Sequence, residues 1–199
     1  MPPIVSEIVK FTVKPGFALG SPEFAQLRTA AVECGVKEQY YGMCTDAPNT
    51  LLWVIQWPAD KGPLEAPEFR KSVKALDAAG EPVSSYLPFA HESLPRPALT
   101  APMCQLCFLH VGPSVDKATL AHSLDKTFTD CYFADGFAGG NWATASNDDR
   151  LNYYYLGYES RAHHTAYSKS DLCAVEMNNL VPHMDSFGTY FMKMTQQLN

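Results

Sequence analysis

From Ile4 to Val13 the chain is dominated by β-branched and apolar residues, and Lys14-Pro15-Gly16 closes the run. From Met103 to Val111 the same pattern returns, closed by Gly112-Pro113. Runs of this kind, bounded by turn residues, read as strands. A helical pattern follows each. In the first half Phe24, Leu27 and Ala31 share a stripe, with Ser21 placed to cap, Pro22 at the first helical position and Gly35 just past the end. In the second half Leu120, Leu124 and Phe128 recur at a spacing of four, with Ser114 or Asp116 placed to cap.

The correspondence continues at an offset of about one hundred residues. A strand over Tyr40 to Thr45, the turn Asp46-Ala47-Pro48-Asn49 and a strand over Leu51 to Trp57 predict a hairpin. Ala138 to Ala145, Ser146-Asn147-Asp148-Asp149 and Leu151 to Tyr158 predict another, with Tyr153 and Tyr155 in the places of Trp53 and Ile55. A second helix carries Phe69, Val73 and Leu76 and ends near Gly80; a less regular counterpart spans His164 to Leu180, with Tyr167, Leu172 and Val175 as its apolar positions. Last strands are expected over Val83 to Ser93 and His183 to Met194.

The order is therefore βαββαβ, twice. Residues 1–94 form the first repeat and 103–199 the second; residues 95–102, with Pro95, Pro97 and Pro102, form a stiff linker. A βαββαβ unit makes an antiparallel sheet with helices on one face, so its other face needs cover. A second copy supplies it. The expected class is α+β: two ferredoxin-like halves whose antiparallel sheets pack together as an internal, pseudo-dimeric α/β barrel.

Composition narrows the function. Of 199 residues 46% are hydrophobic and 18% charged, which suits a globular chain, and the net charge of −6 with no Lys/Arg run argues against nucleic acid as a partner. No segment approaches the roughly 20 apolar residues of a membrane helix, and Met1-Pro2-Pro3-Ile4 lacks a basic leader, so a cytoplasmic location without membrane contact is expected. The six cysteines are scattered and are read as reduced thiols.

This layout resembles the dimeric α/β-barrel superfamily, in particular its antibiotic-biosynthesis-monooxygenase-like branch. The resemblance is carried by the Lys14-Pro15-Gly16 strand end, the Asp46-Ala47-Pro48-Asn49 hairpin, the aromatic strand Leu51-Leu52-Trp53-Val54-Ile55-Gln56-Trp57, the Pro67-Glu68-Phe69 helix and the last strand bearing His91. It covers nearly the whole chain, twice. It implies a pocket between sheet and helices in each half. Members include cofactor-independent oxygenases of aromatic polyketides, polyketide cyclases, isomerases, haem-degrading enzymes and stress proteins. Haem degradation there uses an Asn, a Trp and a His in one pocket, and neither first strand of this chain holds an Asn.

Several residues could carry chemistry. Cys104 and Cys107 form a CxxC, but residues three apart on a strand face opposite sides and could not grip one metal. His163-His164 lacks a helical metal spacing and reads as surface or capping; His122, opposite the apolar stripe, reads as solvated, and His183 as structural. His110 and His91 stand among apolar residues of predicted strands and suit a general base, with a core hydrogen-bonding role as the alternative. Three consecutive tyrosines, Tyr153, Tyr154 and Tyr155, put hydroxyls on both faces of a strand. Asn141-Trp142 follows Gly139-Gly140, where backbone comes close to a ligand or bulges.

The expected catalytic set is His110, Tyr155 and His91. Trp53, Phe108, Asn141, Trp142, Tyr153 and Tyr158 are expected to bind substrate, with no metal and no organic cofactor. The expected function is oxidation, cyclisation or decarboxylation of a small aromatic or polyketide-like molecule. A non-catalytic hydrophobic-ligand or stress-response module, and a haem-binding protein, are the alternatives. A homodimer of the tandem chain is a further expectation. One pocket of a diverged pair can be filled by side chains, and the second half is favoured as the open one.

Overall fold

The structure is a computed structural model describing residues 3–63 and 65–199. The chain divides into two units: the residues up to Leu94 together with Met192–Asn199, and Pro95–Phe191.

In the first unit the order is β1 (Ile4–Thr12), α1 (Pro22–Glu33), β2 (Glu38–Met43), β3 (Thr50–Pro58), α2 (Pro67–Leu76) and β4 (Val83–Phe89). The strands lie in the order β4-β1-β3-β2, with β3 antiparallel to β1 and β2. Ser21 caps α1 by accepting from the Phe24 N–H, and Phe24, Leu27 and Ala31 are buried, as their stripe predicts. The sheet face beneath the helices carries Val9, Phe11, Trp53 and Trp57, packed with Phe24, Phe69 and Val73.

In the second unit α3 (Arg96–Thr100) precedes β5 (Met103–Val111), α4 (Lys117–Thr129), β6 (Phe137–Thr144), β7 (Leu151–Tyr158), α5 (Arg161–Ser168), α6 (Asp171–Leu180) and β8 (Met184–Met192). Its strand order is β6-β7-β5-β8, the same ferredoxin-like arrangement read from the other edge. Both units are thus α+β ferredoxin-like halves.

Two local features depart from expectation, and a third, at the glycine pair, takes the bulged alternative. Residues 95–102 contain α3, which lies on the sheet: Ala98 Cα comes within 2.8 Å of where a Cβ on Gly157 would stand, so only glycine admits the helix there. At Gly140 a Cβ would meet the Tyr155 carbonyl at 1.9 Å, and the register slips between Phe137 and Gly139, so the glycine pair serves a bulge and a close strand approach. Finally, β9 (Thr195–Leu198) adds a fifth strand to the first unit's sheet by pairing with β2.

The repeat register also differs by one residue. Val5, Glu7 and Val9 stand opposite Trp57, Ile55 and Trp53. Met103, Gln105 and Cys107 stand opposite Tyr158, Leu156 and Tyr154. Trp53 and Trp57 therefore correspond to Tyr154 and Tyr158, whereas the sequence comparison pairs Trp53 with Tyr153. One residue of slip exchanges the faces of a strand.

Candidate functional site

The split between faces decides which side chains can meet. In the second unit Cys107, Leu109, Tyr154, Leu156 and Tyr158 look toward the helices, and Trp142 joins them by stacking on Tyr154 at 5.4 Å and 13°. Phe108 lies on the opposite face, 5.8 Å from Tyr153 and 6.2 Å from Tyr190. Strand alternation places Tyr155, Asn141 and His110 on that face as well. The expected residues are thus divided between the two sides of one sheet and do not form one site.

A cavity of about 250 Å³ opens on the helix face of the second unit. Gln105, Cys107 and Leu109 of β5, Leu156 and Tyr158 of β7, and Phe187 and Thr189 of β8 form its floor. Two short helices supply the roof. Ser160 caps α5, which presents His164, Tyr167 and Ser168 at the i, i+3, i+4 spacing of one helix face. Ser170 then ends the first helix and caps the next, accepting from the Cys173 N–H at 3.2 Å, and α6 presents Cys173, Glu176 and Met177 at the same spacing. The irregular pattern from His164 to Leu180 is therefore two helices with a serine between them. Val175, expected inward, is 54% exposed.

The polar groups of this cavity are under-partnered. His164 packs edge-on against Tyr158 and Phe191, and its Nδ1 is buried without a hydrogen bond. Burial, reinforced by the Arg161 cation, pushes its pKa down to about 4, so the imidazole is neutral at pH 7. Gln105 is 4% exposed and its Oε1 likewise has no partner. The hydroxyls of Tyr158 and Tyr167 both meet the Cys131 sulfur, at 3.7 Å for Tyr158, and sulfur is a weak acceptor. Burial raises both phenols well above their ordinary value, so they remain protonated donors.

The thiols are not poised as nucleophiles. Burial pushes Cys131 up to about 11 and Cys107 up to about 12, and thiols that stay protonated are inert. Cys104, on the other sheet face, also rises to about 12, and all six cysteines are unpaired. Among the described residues no cluster of three or more His, Cys, Asp or Glu is arranged to hold a metal.

The other expected residues have structural partners. His110 Nε2 is 3.0 Å from Asp148 and Nδ1 is 3.8 Å from Asp185, at the end of β5 and away from the cavity. Asn141 Oδ1 accepts from the Trp142 N–H, and Trp142 Nε1 donates to Asp125. His91 is not in a strand: β4 stops at Phe89, and His91–Ser93 is a 3₁₀ turn. Of the expected set only Tyr158 lines the cavity.

In the first unit the equivalent space is filled. Trp53 and Trp57 are fully buried against Phe69, with ring centroids 6.3 and 6.2 Å apart, and Phe24 meets Trp53 at 5.4 Å. Trp57 Nε1 donates to Glu7 Oε2 at 2.8 Å and Trp53 Nε1 to Gln39 Oε1 at 3.0 Å. A groove between α1 and α2 exists on this unit with no strand residue in its lining, and a separate polar opening of about 320 Å³ lies between α2 and β4, over Arg70, Lys74, Ser84 and Tyr86.

Comparison with solved structures bears on the architecture. An anthrone oxidase-like protein matches with a TM-score of 0.68, 11% identity, and coverage of 98% of this chain and 93% of its own. A candidate monooxygenase from Lactobacillus acidophilus NCFM matches with a TM-score of 0.63 and 12% identity, covering 100% and 97%. The chain shares their fold. A major regulator of staphylococcal pathogenesis matches too, with a TM-score of 0.56 and 10% identity over 94% and 98%. No protein-family model matches the sequence, and no curated relative does. The common fold therefore fixes the architecture, and function has to be argued from the site.

Proposed function

We propose that this protein is a monooxygenase-like enzyme acting on a small aromatic or polyketide-like molecule in the cavity of its second half, with His164 as general base. The observation that carries the reading is a neutral, buried imidazole with an unpartnered ring nitrogen in a cavity that Tyr158 and Tyr167 also line. The low pKa leaves the imidazole unprotonated at pH 7 but a weak base in the empty cavity. An anion forming beside it raises its basicity as the proton moves. Tyr158 and Tyr167, held protonated by burial, donate to the oxygen on which charge develops.

For a methylene activated by flanking aromatic carbonyl groups, His164 takes one C–H proton and leaves a delocalised anion. That anion gives its electrons to dioxygen, forming a C–O bond, and the histidine returns its proton to the peroxide. Loss of water then leaves a carbonyl, so CH2 and O2 become C=O and H2O. Cyclisation or decarboxylation would begin from the same anion. The likeness of fold to an anthrone oxidase-like protein favours oxidation.

A porphyrin, far larger than a two- or three-ring aromatic, does not suit a cavity of about 250 Å³.

The test is oxidation of a hydroxylated anthrone, 1,8-dihydroxyanthrone, in air, followed as formation of the corresponding anthraquinone above the uncatalysed rate. His164→Ala should lower kcat/KM by about 10²-fold or more, while His110→Ala stays within about twofold of the parent protein. Equal rates for the parent and His164→Ala overturn the assignment of the base. Saturable binding of this anthrone with no oxidation would make the protein a ligand-binding module instead.

A further inference from the structure

The two halves treat one position in opposite ways. Glu7 on β1 and Gln105 on β5 occupy the same place: each faces the helices, midway between two aromatic cross-strand partners. In the first half that place is saturated with donors. Glu7 receives the Trp57 indole N–H at 2.8 Å, Arg70 Nη1 at 2.8 Å and the Ser84 hydroxyl at 2.8 Å. In the second half the Trp57 position is Tyr158, whose hydroxyl turns to Cys131. Gln105 Oε1 is left buried, without a partner, in the wall of the cavity.

We infer that Gln105 is a specificity-determining residue that reads a hydrogen-bond donor, a phenol-type hydroxyl, on the ligand of the second half. The inference rests on the reading of this cavity as the working site, and it deepens that reading by naming a feature of the substrate. A buried amide oxygen left unpaired is costly, and a hydroxyl on a ligand in this cavity would supply the missing donor. His164 Nδ1, the second unpartnered atom of the cavity, marks where another polar group of the same molecule can sit. Around these two points Leu109, Leu156, Met177 and Phe187 give the lining an apolar part that suits a flat ring system, and Glu176 adds a buried carboxylate to it. The substrate class is therefore a compact hydroxylated aromatic, one that loses affinity when its hydroxyl is masked. Sites built to hydrogen-bond a hydroxyl discriminate strongly against analogues lacking it.

The test compares 1-naphthol with 1-methoxynaphthalene, which has the same ring system but no donor, by calorimetry or intrinsic fluorescence. The parent protein should bind 1-naphthol about tenfold or more tightly than the ether. Gln105→Met should bring the two affinities within about twofold while keeping the ether's. Because Gln105→Met removes an unpartnered amide, its Tm without ligand should not fall. A structural glutamine would show the reverse, and a fall in Tm beyond a few degrees counts against the inference. A variant that fails to fold counts against the inference in the same way, and equal affinities of the parent for the two probes overturn the donor-reading role. If both probes bind equally, only Gln105's role fails, whereas if neither binds, the cavity reading fails with it.

Discussion

His164 meets Tyr158 edge-on, with ring centroids 5.4 Å apart and planes at 83°. The contact keeps the imidazole in an apolar wall, and that burial, with Arg161 nearby, is why its pKa falls to about 4 from an ordinary 6.5. Between these values the unfolded chain binds a proton that the folded chain does not. Stability from this group is therefore complete above about pH 6.5 and is lost as pH falls toward 4. Chemical denaturation at several pH values should show a loss over that window that is smaller in His164→Gln. An equal loss in both proteins, or a His164 resonance titrating near 6.5 by NMR, contradicts the placement.

The buried thiols make a second prediction. With Cys131 near 11 and Cys107 and Cys104 near 12, the thiolate is scarce at pH 8. Iodoacetamide should leave these three unmodified in the native protein while labelling them readily in denaturant. Rapid native labelling of Cys131 would show an open, ionised thiol instead.

The plugged first half should depend on its polar anchor. Glu7 is fully buried, so removing one donor leaves a charge without compensation. Arg70→Ala is expected to cost about 3–5 kcal/mol and Trp57→Phe about 1–3 kcal/mol in denaturant unfolding. His110→Ala, by contrast, removes a half-exposed pair with Asp148 and should cost about 1 kcal/mol or less. Comparable losses at Arg70 and His110 would refute this ordering.

These contrasts explain how far the sequence could be read. The strands, the capping of α1 by Ser21 and the buried stripe of Phe24, Leu27 and Ala31 follow from local rules, so they were legible. The opposed faces of Cys104 and Cys107 follow from alternation alone. The site was harder. Tyr153 and Tyr155 attract attention as a cluster, but alternation sends them to the face opposite Tyr154, and a one-residue misalignment against Trp53 hides this. His164, next to His163 and without a metal-ligand spacing, reads from sequence as a surface or capping residue. The signal that could have found it is the spacing His164, Tyr167, Ser168, followed past Ser170 by Cys173, Glu176, Met177. That is a helical stripe in which the inward positions carry functional groups where leucines would be ordinary. The strand β9 was not legible, because Thr195-Gln196-Gln197-Leu198 has little apolar pattern and is held by its pairing with β2.

The central claim is that one half of the tandem is open and the other is filled. Titration of the uniformly labelled protein with 1-naphthol, followed by two-dimensional NMR, tests it most directly. The account predicts saturation at one ligand per chain, with the largest shifts at Gln105, Tyr158, His164 and Tyr167 and unmoved indole signals for Trp53 and Trp57. Saturation at two per chain, or shifts centred on the two tryptophans or on His110 and Tyr155, would contradict it.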